Sequence, residues 1–135
     1  MAFIDWSDQF GTGIEMFDDH HRQLVNLINR LYEAIQAGTA ANQFEQILNE
    51  LSDYVLYHFN TEEHWMKSIS YSDLAAHEQE HYRFVKRLLE IQRDYHEKKV
   101  VKPLEVVSFL KNWLANHIQV VDKQYVVAHA GRLPA

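Results

Sequence analysis

The chain has no cysteine. That removes disulfides, thiolate zinc sites, thiol nucleophiles and cysteine-held iron–sulfur clusters together. Turn formers are scarce too: four Gly and two Pro in 135 residues, against roughly 12% of residues in average usage, which argues against a turn-dense β-sandwich or barrel. No apolar run approaches the roughly 18 to 20 residues of a membrane span, and the first ten residues lack the basic-then-apolar layout of a signal peptide. A soluble, cytoplasmic protein without membrane insertion is therefore expected. Lys and Arg form no cluster and the formal net charge is −6, so phosphate recognition and nucleic-acid binding are not expected. What is present is ordinary globular composition, 47% hydrophobic and 24% charged, in a length suited to one compact domain over residues 1–135. One residue type is in excess: nine His.

Hydrophobic periodicity divides the chain into four helices. After an arm of about residues 1–13, the positions Phe17, His21, Leu24, Ile28, Leu31 and Ile35 alternate spacings of three and four, and Gly38 supplies a stop. The same alternation marks helices over about 14–37, 42–68, 73–97 and 103–127, with a tail over 128–135. Ser72 or Asp73 is placed to cap the third helix, and Pro103 suits the first turn of the fourth. Short connections favour antiparallel neighbours. The expected fold is all-α, an up-down-up-down antiparallel four-helix bundle.

His21, His58, Glu62, His77, His81 and His117 interrupt these apolar seams, at least one from each helix. Each unpartnered buried polar side chain costs a few kcal/mol, and six of them would consume most of the roughly 5–15 kcal/mol of a domain's net stability. Imidazoles with a carboxylate and no thiolate point to a transition metal: iron, manganese, copper or zinc. His58 with Glu62 and His77 with His81 are spaced four apart, so each pair can aim at one point. Six donors exceed a four-coordinate zinc set, and two ions accommodate them more easily than one.

The segments Gly13-Ile14 with Phe17-Asp18-Asp19-His20-His21, Tyr54 to Phe59 with Glu62-Glu63, His77-Glu78-Gln79-Glu80-His81, and Trp113 to Ile118 with Asp122 resemble the hemerythrin family of non-haem di-iron oxygen-binding proteins, in particular its bacterial members. The similarity runs from Trp6 to about Tyr125. It implies two irons, one held by His77, His81 and His117 and the other by His21 and His58. Glu62, Asp122 and a solvent-derived oxo or hydroxo group would bridge them. It further implies an open position on the two-His iron for dioxygen, with Leu114, Ile118 and Trp113 forming an apolar pocket. The position before His21, often Gln in the family, is His20 here; the seam spacing favours His21 as the ligand. Asp122 lies five residues after His117, about 140° away on a regular helix. A π-bulge is therefore expected between them.

Other readings compete. His77-Glu78-Gln79-Glu80-His81 satisfies the HExxH zinc-protease pattern, but that assignment leaves His21, His58, Glu62, His117 and Asp122 without a role. Carboxylate di-iron oxidases use two Glu-x-x-His motifs, of which only Glu78-x-x-His81 is present. Few carboxylates leave few anionic donors for high-valent iron, so reversible binding is expected rather than oxidase or peroxidase catalysis. His20, His64, His96 and His129 are read as surface groups or as partners of ligands. The expected function is an oxygen carrier, store or supplier, with dioxygen as ligand and no oxygen-consuming partner enzyme identifiable. An oxygen-sensing module is the alternative, disfavoured because 135 residues leave no room for an output domain.

Overall fold

The computed structural model describes residues 4, 11–38, 41–97, 102–122 and 124. Four α-helices form the bundle: α1 Glu15–Gln36, α2 Ala41–Ser68, α3 Leu74–His96 and α4 Pro103–Asn116, the last running directly into a π-helix over His117–Asp122. No strand occurs among the described residues. The part of the arm before residue 11 other than Ile4, most of the chain expected as helix beyond Asp122, and the tail over 128–135 lie outside the described residues, as do Trp6 and His129.

Each helix follows from its apolar stripe. In α1, Phe17, His21, Leu24, Ile28 and Leu31 are all buried, the spacing of three and four that keeps one face inward. The start of α1 is tied by Asp18, whose carboxylate accepts from the Thr12 amide at 2.7 Å, the Thr12 hydroxyl at 2.8 Å and the Gly13 amide at 3.3 Å. An anion in the first turn also suits the helix dipole. Gly13 at φ 82 and Gly38 at φ 64 turn the chain before and after α1 in the left-handed region, where a Cβ is disfavoured. Asp73 does occupy the N-cap position of α3, but its side chain makes no capping hydrogen bond; the expected cap is positional only. Pro103 sits in the first turn of α4.

Antiparallel pairing shows in contacts that run in opposite senses along neighbours. His96 meets Glu45 at one end of α2–α3, and His77 meets Glu62 at the other. His81 faces His117 while Phe84 stacks on Phe109, so α3 and α4 also oppose each other. Asn29 of α1 bonds both the amide and the carbonyl of Ile4, at 2.7 and 2.8 Å, and pins that point of the arm to the helix. The main core runs from Phe44, Leu48 and Ile91 up to Phe59, Leu114 and Ile118, directly beneath the buried polar residues. A smaller cluster of Phe17, Met66 and Tyr71 closes the far side. No helix among the described residues is long and apolar enough to cross a membrane.

Leu48 is fully buried in the main core and ten residues before His58, about 15 Å along the helix at 1.5 Å per residue. Leu48→Ala is expected to cost about 2–5 kcal/mol in chemical denaturation while leaving metal content unchanged.

Candidate metal centre

Among the described residues ten polar or charged ones are buried, and seven of them meet in one place: His21, His58, Glu62, His77, His81, His117 and Asp122, none more than 2% exposed. Their donor atoms form two adjoining sets. Glu62, His77, His81, His117 and Asp122 make one, and His21, His58, Glu62 and Asp122 the other.

The carboxylates are shared atom by atom. Glu62 Oε1 lies 2.9 Å from His77 Nε2 and 3.0 Å from His81 Nε2, while Oε2 lies 3.2 Å from His58 Nε2. Asp122 Oδ1 is 3.1 Å from His77 Nε2 and 3.0 Å from His117 Nε2, and Oδ2 is 3.3 Å from His21 Nε2. Imidazoles also face one another, His81 and His117 at 3.0 Å and His21 and His58 at 3.2 Å between Nε2 atoms. Donors about 2.1 Å from one ion, at right angles to each other, stand about 3.0 Å apart. The observed spacings are those of ligands around a common point. Alignment agrees: both Asp122 oxygens, close to three imidazoles, make no hydrogen bond. Such buried groups are normally satisfied, and a cation among these donor atoms, which lie within 4.8 Å of one another, would satisfy them. Five imidazoles and two carboxylates suit a borderline transition metal in each set.

Local geometry explains how each residue arrives. His58 and Glu62, and His77 and His81, are one turn apart on α2 and α3. Asp122 reaches the site because the chain from His117 to Asp122 is a π-helix, as its five-residue spacing requires: i→i+5 geometry returns the fifth residue to the same face. Aromatic rings hold the ligand planes. Phe59 stacks on His81 with centroids 3.7 Å apart at 4°, and Trp113 on His117 at 4.3 Å and 13°.

Outer contacts were only partly legible. His81 Nδ1 meets Glu63 Oε2 at 3.1 Å, a contact with no sequence signal beyond Glu63 following Glu62. His20, read from sequence as a surface group or a partner of a ligand, is buried with its Nδ1 2.9 Å from His58 Nδ1. His64 and His96 are exposed, the latter bonded to Glu45 at 2.8 Å. Glu78 is exposed as well, so the HExxH pattern has no base facing the centre. Leu114 and Ile118 are buried, and Trp113 partly so. Leu114 and Trp113 line a small apolar cavity with Leu24, Val55, Phe59 and Phe84; Ile118 does not.

The fold and site together define a class: a four-helix bundle whose interior could hold two adjacent cations between shared carboxylates. The sequence model of the hemerythrin HHE cation-binding domain matches residues 12–128, and the chain belongs to that family. It is 34% identical over 126 residues to a bacteriohemerythrin of Methylococcus capsulatus, covering 93% of this chain and 95% of the relative. It is 35% identical over 128 residues to one of Pseudomonas aeruginosa, covering 95% and 82%. A crystal structure of wild-type hemerythrin superposes with a TM-score of 0.86 at 33% identity, covering 92% of this chain and 95% of the other.

Protons occupy the site's charge balance when no cation does. Burial pushes the His21 imidazole down, but the contacts and charges of Asp122 and Glu62 outweigh it and raise it to about 9. The same balance raises His77 to about 9 and His117 to about 10. For His58 burial prevails and the imidazole is lowered. Burial pushes both carboxyls up, yet His58 chiefly pulls Glu62, and His117 chiefly pulls Asp122, below the carboxylate range.

Raised folded values make the contribution of His21, His77 and His117 complete below 6.5, their unfolded value, and lost as pH rises through about 9 to 10. The depressed carboxyls act oppositely, contributing above about 4 and fading in acid. Chelator-stripped protein is therefore expected to lose thermal stability steadily from pH 6.5 to 10. The metal-loaded protein should be flatter over that range, and loading at pH 8 should release protons in a pH-stat, since ligands must be deprotonated. A stripped protein whose melting temperature holds constant over the window would contradict this balance.

Proposed function

We propose that this chain takes up and releases dioxygen at a bridged pair of non-haem irons and serves as an oxygen carrier, store or supplier rather than an enzyme. His77, His81 and His117 would hold one iron and His21 and His58 the other, with Glu62 and Asp122 shared between them and a solvent-derived group completing the bridge. The observation that carries the reading is that both carboxylates are shared between a set of three imidazoles, His77, His81 and His117, and a set of two, His21 and His58. A three-to-two division leaves the two-His side short of one donor, which is where a small ligand enters. Two ferrous ions held there would supply the two electrons that reversible dioxygen binding requires.

The protein's own groups set the conditions. Five neutral imidazoles with two carboxylates leave the pair of cations with net positive charge, a donor set that stabilises the lower oxidation states better than a carboxylate-rich one. Burial of every ligand keeps bulk water and proton donors from the centre. Stacking on Phe59 and Trp113 restrains His81 and His117 against swinging as charge shifts. Leu114 and Ile118 add buried apolar surface beside His117, and the cavity that Leu114 lines offers an uncharged diatomic gas a dry space.

Anaerobic reduction, exposure to air and removal of oxygen should produce a visible absorption that appears and fades over repeated cycles, with about two irons per chain, the stoichiometry of a dinuclear site. His58→Ala should lower the iron content and impair oxygen uptake. Oxygen consumed with turnover of an organic substrate and no recoverable oxygen would refute the carrier role and favour an oxidase.

A further inference from the structure

Among the buried polar residues, His20 lies outside the donor sets, yet it is only 8% exposed. Its Nδ1 stands 2.9 Å from His58 Nδ1. Two imidazole nitrogens at that distance share one proton: one donates and the other accepts. The opposite end of His58 settles which. His58 Nε2 faces Glu62 Oε2 at 3.2 Å and His21 Nε2 at 3.2 Å within the smaller donor set, and a cation there needs the Nε2 lone pair. The proton of His58 then sits on Nδ1 and is donated to His20 Nδ1, whose own proton sits on Nε2. The His20 ring is fixed for that task by Tyr57, with centroids 5.1 Å apart, and by an edge contact with Tyr54 at 5.8 Å.

We propose that His20 is a positioning residue for the two-histidine half of the centre, accepting the Nδ1 proton of His58 so that His58 Nε2 is held, in the right tautomer and ring plane, toward the cation. The proposal rests on the reading that a cation binds there. On the other half the corresponding acceptor is an anion, since His81 Nδ1 faces Glu63 Oε2 at 3.1 Å. The two halves therefore differ in outer contact as well as ligand count: a neutral acceptor behind His58 and a carboxylate behind His81. Outer partners of this kind orient the ring and typically change metal affinity by about 10- to 100-fold.

Retention of cations under a competing chelator tests the role. In His20→Leu, which fills the space without an acceptor, one of the two irons should leave about 10- to 100-fold faster than in the unaltered protein, the other at its normal rate. His20→Gln supplies a carbonyl acceptor and should restore retention to within a few-fold, a recovery that mere packing would not produce. Glu63→Gln should perturb the other iron. Independently of any variant, nitrogen-15 NMR of the zinc-loaded protein should show the His58 proton on Nδ1 and a scalar coupling from it to His20 Nδ1. Equal release from His20→Leu and the unaltered protein, loss of both irons alike, failure of Gln to rescue, or a His58 proton on Nε2 each overturns the proposal. An unaltered protein that retains no cation overturns the proposed function along with it, whereas normal loading with a silent His20→Leu overturns this inference alone.

Discussion

The structure depends on the sharing of two buried carboxylates. Glu62 and Asp122 each turn one oxygen to His77 and a second to the opposite set, so neither set is complete without the other. A carboxylate sealed from water is tolerable only when opposite charge surrounds it. That requirement draws one histidine or more from every helix toward the same level and makes the bundle's interior polar where a bundle is ordinarily apolar. The oily core from Phe44 to Ile118 closes beneath this layer, and the cluster of Phe17, Met66 and Tyr71 closes on its other side.

The two buried carboxylates can be compensated in two ways. Without cations, protons on His21, His77 and His117 offset the negative charges of Glu62 and Asp122 up to about pH 9. With cations, the same nitrogens must present lone pairs. Donors about 3 Å apart around a point suit either a shared proton network or an ion. Binding of a cation at these nitrogens would exchange protons for metal.

Rigidity comes from rings. Phe59 on His81 and Trp113 on His117 stack nearly parallel, while Trp113 also stacks on Phe84 at 4.0 Å, so the larger donor set is tied into the core through α3 and α4. The smaller set is held differently, through His20 and the edges of Phe17 and the tyrosines of α2. One half of the centre is clamped by the main core and the other by a polar–aromatic rim. That division accompanies the difference in histidine count between the two donor sets.

Much of this was legible from residue spacing alone. Periods of three and four placed α1 to α4, and the pairs His58 with Glu62 and His77 with His81 followed from the i to i+4 geometry of any helix. Even the irregularity was legible: Asp122, five residues after His117, could reach the same point only through a π-turn, and the π-helix over His117–Asp122 is there. These are local facts, determined by the pitch of a single helix and therefore written in sequence separation. What tertiary structure alone decided are relations between helices: which oxygen of each carboxylate faces which imidazole, the bond from His20 to His58, the approach of Glu63 to His81, the stacking of Phe59, and the exposure of Glu78. They depend on rotamers and on the rotation of one helix against its neighbour, and no period along the chain encodes either.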